Sequence, residues 1–361
     1  MRKNLFATTP GIIIVGAVIG LIAVWLQKLG NPANMGICVA CFERDVAGGL
    51  GLHRAAIVQY LRPEIMGLVL GSLAAAIATR EFKPRGGSAP IVRFVLGMIA
   101  AMGALVFLGC PWRAILRLAG GDGNAILGLA GLATGIWFGT LFFKKGYSLG
   151  RSNSQSVVSG ALFPVIAVCL LLLYLIFPQI PDQPQSGPLF YSVKGPGSQH
   201  APFIASLGLA FIIGIFAQRS HFCTMGAFRD LFLFRYTHLF LGLAAMFAAA
   251  FIANALTGGL KFGFEGQPVA HSDFLWNYLG MVTAGLAFAL AGGCPGRQLF
   301  MAGEGDSDAG IFALGMLVGA AMAHNLGTAS SGTGIGVYGM QATILGFAVC
   351  LIIGFVHSKK A

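Results

Sequence analysis

Two short stretches hold the residues best suited to chemistry: GCPWRAILRLAGGD at 109–122 and GCPGRQLFMAGEGD at 293–306. Each sets a thiol, a proline and a guanidinium close together. Proline suits the first turn of a helix, where it has no N–H to leave unsatisfied. Cys110 and Cys294 are therefore expected to cap the N-termini of short helices. Such a terminus offers free N–H groups and partial positive charge, so it attracts anions and favours a thiolate. Arg113 and Arg297 oppose that dipole, and their placement makes sense beside something negative: Asp122, Asp306 or a passing anion.

The motif recurs because much of the chain recurs. At an offset of 184, Cys110 matches Cys294, Arg113 matches Arg297, Gly121-Asp122 matches Gly305-Asp306, and Gly131-xxx-Gly135 matches Gly315-xxx-Gly319. Upstream, CVACFERD at 38–45 meets CTMGAFRD at 223–230, pairing Cys38 with Cys223, Arg44 with Arg229 and Asp45 with Asp230. Four cysteines thus repeat in matched places near arginine. The Arg-Asp pairs either support the site or tie their loops down. Asp122 and Asp306 serve either the site or a turn. Cys41 forms a CxxC with Cys38, but its counterpart is Gly226, so the repeat does not demand it. His221 is a candidate pore neighbour of Cys223, while Cys169 and Cys350 fall within apolar runs, where cysteine acts as a small hydrophobe.

The elements that must position these residues are membrane spans. Only 10% of the residues are charged and the mean hydropathy is +0.80, against roughly 25% charged in a soluble domain. Apolar windows fall at about 11–29, 64–79, 92–109, 124–143, 157–177, 202–218, 238–257, 275–292, 309–325 and 339–357. The excess of Lys and Arg, a net charge of +11, needs no nucleic acid, because such residues gather in cytoplasmic loops. Arg80, Lys83, Arg85, Arg93, Lys144, Lys145, Arg151, Arg219, Arg229, Arg235, Lys359 and Lys360 share one side if both termini are cytoplasmic. The Pro-rich stretch 178–201 then lies outside. Arg2 and Lys3 give the first span the look of a signal peptide, but its repeat partner is internal, so it is kept as a span.

These spans form an all-α polytopic membrane protein: a first half at 1–177, an extracytoplasmic linker at 178–201 and a second half at 202–361. Five spans is an odd number, so the two halves must lie inverted relative to each other. Inverted repeats characterise transporters whose sites sit near the midplane on broken helices. The four cysteine loops would enter from both faces and meet there.

The paired CPxR loops, the two halves and the stretch NPANMGICVACFERDVAGGLGLHRAAIVQYLRPE at 31–64 resemble the YeeE/YedE membrane protein family. The stretch itself is similar to its branch associated with selenium metabolism. That resemblance implies an hourglass-like protein and uptake of a thiosulfate-like or selenium-containing anion. Cysteines would pass the anion by S–H···S contacts without a covalent intermediate; by motif these are Cys38, Cys110 and Cys294, with Cys223 as repeat partner. It also implies a cytosolic sulfur carrier of the TusA type as partner.

The leading expectation is a permease of the cell (inner) membrane for a small sulfur or selenium anion, not an enzyme, with no cofactor and no bound metal. Soft thiols suit the polarisable atom; Arg and helix N-termini suit the charged oxygens. Two other readings stand beside it. One is a transmembrane thiol–disulfide protein using Cys38 and Cys41. The other is a soft-metal transporter, since thiolates select Cu(I) or Zn.

Overall fold

The computed structural model describes residues 5–358; Arg2, Lys3, Lys359 and Lys360, invoked above for orientation and for the signal-peptide question, lie outside the described residues. The chain is mostly helical. Its first seven helices are α1 (Thr9–Lys28), α2 (Val39–Gly49), α3 (Pro63–Ala78), α4 (Pro90–Phe107), α5 (Pro111–Ala119), α6 (Asn124–Lys144) and α7 (Val157–Ile176). Seven more follow: α8 (Phe203–Ser220), α9 (Thr224–Phe234), α10 (His238–Leu256), α11 (Phe274–Ala291), α12 (Pro295–Gly303), α13 (Ser307–Asn325) and α14 (Gly339–Val356). Both sets run long, short, long, long, short, long, long.

Among the described residues, nine helical segments are long and apolar enough to cross a membrane, which marks a multi-pass membrane protein. The tenth expected span is α3. It is apolar but only 16 residues long, about 24 Å at helical rise, and so short of a full hydrocarbon core of about 30 Å. Side chains such as Ile14, Trp25, Leu172, Ile252 and Ile352 stand exposed on the outer helix faces, as a surrounding of lipid requires.

Three long helices stop in the same way. α4 ends at Leu108 (φ +63°), α8 at His221 (φ +54°) and α11 at Gly292 (φ +87°), each in the left-handed region. Two residues later a cysteine starts the next, short helix. A left-handed residue closes a helix by turning its last N–H groups back on the final carbonyls, so the chain can reverse course within three residues.

Helix pairing follows the matched order. α1 packs on α10 as α8 packs on α3; α4 packs on α13 as α11 packs on α6; α4 and α11 pack on each other. The short helices conform, with α5 on α10 and α12 on α3, α2 on α13 and α9 on α6. α7 and α14 depart from it, the first lying on α3, α12 and α13, the second on α4 and α11. The repeated GxxxG motifs serve these contacts. Gly131 and Gly135 face the carbonyls of Tyr278 and Val282 on α11, and Gly315 and Gly319 face those of Phe94 and Met98 on α4. A side chain there would collide with backbone, so glycine allows the close approach on which helix packing in lipid depends.

The Pro-rich stretch is folded rather than slack. Residues 185–186 and 189–190 pair as a two-residue antiparallel ladder, and Arg62 donates to the carbonyls of Pro196 and Gln199. A second small ladder joins 85–86 to 153–154.

Candidate functional site

All four repeated cysteines cap the N-termini of short helices: Cys38 on α2, Cys110 on α5, Cys223 on α9 and Cys294 on α12. Pro111 and Pro295 occupy the first turns of α5 and α12, as their chemistry requires. On α2 and α9, which have no such proline, the thiol itself caps: Cys38 Sγ accepts from Cys41 N at 3.4 Å, and Cys223 Sγ from Gly226 N at 3.3 Å.

The caps meet in pairs. Cys110 N donates to Cys38 Sγ at 3.5 Å, which sets the two cysteines side by side. Cys223 and Cys294 are likewise neighbours, at the starts of α9 and α12. Each pair therefore sits where two helix N-termini converge, and both dipoles favour negative charge there. The four residues are between 0% and 7% exposed, so both pairs are closed off in this structure. Every cysteine is free; Cys169 is exposed and Cys350 is buried among apolar helices.

Of the negative partners that the sequence offers Arg113 and Arg297, namely Asp122, Asp306 or a passing anion, the two aspartates are taken elsewhere. Neither pairing forms. Asp122 instead takes Arg117 at 2.6 Å, with both side chains fully buried. Asp306 takes Arg85 at 2.7 Å and caps α13 through Ala309 N. Geometry explains this: Arg117 lies in the last turn of α5, beside Asp122, whereas Arg113 lies in the first turn and faces the end of α4. There it donates to Leu108 O, while Arg117 donates to Phe107 O at 2.7 Å and lies over the Phe107 ring. The last carbonyls of a helix lack intrahelical partners and carry partial negative charge. Arg113 thus opposes the dipole of its own helix, Arg117 complements it, and both complement that of α4.

Arg113 is 0% exposed. It also donates to the carbonyls of Asn34, Pro268 and Val269, at 3.3, 3.3 and 3.0 Å, and approaches Cys41 Sγ at 3.5 Å. Among the described residues no carboxylate pairs with it. Arg297 instead holds Glu304 Oε1 at 3.0 Å, and Glu304 lies within 3.6 Å of Arg85.

The Arg-Asp dipeptides act as ties. Asp45 bridges Arg44 and Arg62, each at 2.7 Å and all three buried, and Arg62 carries the link to residues 196–199. Arg229 and Asp230 pair at 2.8 Å with Arg229 more exposed. His221 is exposed and serves as the turn residue ending α8.

Gly121 and Gly305 have matched roles too, with φ of +95° and +96°. Each turns the chain after a short helix, and each following aspartate is bridged by a loop from the other half of the chain: Asp122 with Gly263, Asp306 with Arg85. Sequence reasoning did not single out Arg62, Arg85, Arg117, Glu304 or Trp112. It also passed over Glu43, buried one turn after Cys38 with Oε2 lacking a hydrogen-bond partner. For the charged residues among them, only the burial of charge beside apolar segments could have been a signal; for Trp112 there was none.

A family model described as Sulphur transport matches residues 219–355. The match covers less than half of the chain, from the end of α8 through most of α14, and includes Cys223, Cys294 and Arg297. That portion of the chain is similar to the sulphur-transport family. No curated protein matches the chain.

Proposed function

We propose that the chain is a permease that passes a small sulfur- or selenium-containing anion, of the thiosulfate type, from the Cys38/Cys110 pair to the Cys223/Cys294 pair. The observation that carries this reading is the meeting of four repeated cysteines as two buried pairs, each at converging helix N-termini. Thiols bind softly through polarisable sulfur and a weak S–H donor. Converging dipoles and the unpaired charge of Arg113 attract the anion, while weak contacts let it leave. The sulphur-transport match favours a transporter over an enzyme.

In this reading the halves 1–177 and 202–361 are inverted repeats joined by 178–201, and the short helices α2, α5, α9 and α12 are re-entrant. Matched helix pairings support that symmetry. The protein lies in the inner membrane with both termini cytoplasmic, and a TusA-like carrier takes the product. Impermeant maleimide should then label Gln183→Cys from outside, and Ser152→Cys only after lysis, in a background without Cys169. The reverse pattern would refute the orientation.

A second reading draws on the same pairs: two adjacent thiols are also what a thiol–disulfide protein needs. One comparison separates the readings. Cells lacking the gene and cells carrying it are given labelled thiosulfate, selenite and copper, and the redox state of Cys38 and Cys110 is trapped during uptake. Gene-dependent thiosulfate or selenium accumulation with the thiols remaining free supports the permease. Cycling disulfides without accumulation support the redox protein, and gene-dependent copper accumulation supports the metal carrier.

A further inference from the structure

One side chain reaches from the helix that starts at the first thiol pair to the helices that start at the second. Trp112 stands two residues after Cys110 and is 1% exposed. Its ring lies 5.7 Å from that of Phe222, the residue before Cys223, and 5.9 Å from that of Phe300 on α12. Its benzo face lies over Gly296, two residues after Cys294: the point where a Cβ would stand there is 3.1 Å from Cζ2, 3.4 Å from Cε2 and 3.5 Å from Cη2. The indole therefore touches the first turn of α12 and the cap region of α9 while standing in the first turn of α5.

Two features set this residue apart. By the internal repeat its counterpart is Gly296 itself, so one tryptophan fills the space that two matched side chains would have shared. A side chain at 296 would crowd the ring. Second, Nε1–H has no hydrogen-bond partner. Buried donors are almost always satisfied, and one left open in a closed apolar setting calls for an acceptor from elsewhere. Gly296 lies against the face of the ring, so the open N–H runs in the ring plane alongside the first turn of α12.

We infer that Trp112 is the barrier and the relay point between the two thiol pairs: its ring, with Phe222 and Phe300, bars water and hydrated ions, and its Nε1–H donates to the dehydrated anion in transit. The inference rests on the permease reading for its substrate but not for its barrier. Aromatic constrictions exclude hydrated ions because the low-dielectric gap cannot replace their water. An anion that sheds its water onto thiols can cross if a donor awaits it midway. The indole supplies one donor and no competing acceptor.

The test uses the full-length protein in proteoliposomes, reading labelled thiosulfate uptake and chloride leak together. Trp112→Phe keeps an aromatic ring and removes the N–H. It should cut uptake by about tenfold, the loss expected for one hydrogen bond to an anion, with chloride leak unchanged. Trp112→Ala should raise chloride leak roughly tenfold by opening the constriction. Should the alanine variant fail to accumulate, Trp112→Leu, which keeps apolar volume but shortens the plug, takes its place in the leak measurement. Wild-type uptake by Trp112→Phe would overturn the relay, and wild-type tightness of the alanine or leucine variant would overturn the barrier. If the unaltered protein carries no thiosulfate, the permease reading fails for that anion, the relay falls with it, and the leak arm alone decides the barrier.

Discussion

Beside Cys38 and Cys110 the Arg113 guanidinium is fully buried and meets carbonyl oxygens and a thiol; beside Cys223 and Cys294 the Arg297 side chain is 14% exposed and meets the Glu304 carboxylate. The backbone frame is shared: cysteine caps, converging helix N-termini and glycine-aspartate turns recur in both places. Charge is not shared. The first site keeps a net positive group inside the protein, and the second cancels most of its own. An anion should be held more firmly at the first pair and handed on at the second. Buried carbonyls stabilise a guanidinium without neutralising it, which a carboxylate would do.

The largest expected effect comes from the ion pairs that hold the first site. Asp122→Asn leaves Arg117 buried without its counter-charge, at a cost of about 3–5 kcal/mol. Thermal unfolding in detergent should show a large drop, or the protein should fail to accumulate in the membrane. The corresponding change at the second site, Asp306→Asn, touches a partly exposed pair with Arg85 and should cost about 1 kcal/mol. Equal losses would mean that the two sites are not as different in burial as described.

Next comes the charge itself. Arg113→Met should lower initial thiosulfate uptake by roughly tenfold to a hundredfold, in line with about 1.5–3 kcal/mol for a charged hydrogen bond, whereas Arg113→Lys should retain part of it. Arg297→Met should lose only about threefold, since Glu304 already neutralises that charge. A reversed order would break the assignment of anion capture to the first pair.

How much of this was legible in the sequence depends on the range of the interaction. The cysteine caps on α5 and α12 follow from Cys-Pro alone, because capping is decided within one turn. Span positions such as 64–79, 238–257 and 339–357 agree with α3, α10 and α14 to within about two residues. That α2 and α9 are helices was not legible, since neither carries a proline start signal and both contain charged residues. Nor was the partner of each arginine. Arg62 reaches Asp45 and residues 196–199, and Arg85 reaches Asp306, through contacts fixed only when distant segments pack. The role of Trp112 was hidden for the same reason: its neighbours Phe222, Gly296 and Phe300 lie more than a hundred residues away.

A smaller effect sharpens the comparison further. Cys41 has no thiol counterpart, and its Sγ takes a weak bond from Arg113. Cys41→Gly makes the first site resemble the second and should slow uptake by roughly twofold to fivefold, as a weak acceptor implies. Smallest of all, Cys169→Ala and Cys350→Ala should leave uptake at the wild-type rate, because neither lies with the paired thiols.

The measurement that bears most directly on a relay through both pairs is uptake of labelled thiosulfate by Cys110→Ala, Cys294→Ala and the double variant, each at normal membrane levels. Alanine barely changes the volume and leaves the helix starts to Pro111 and Pro295. The relay predicts that each single variant loses at least about tenfold of the rate, the equivalent of 1.4 kcal/mol, and that the double variant is inactive. Full uptake by the double variant would contradict it and leave the repeated cysteines as packing.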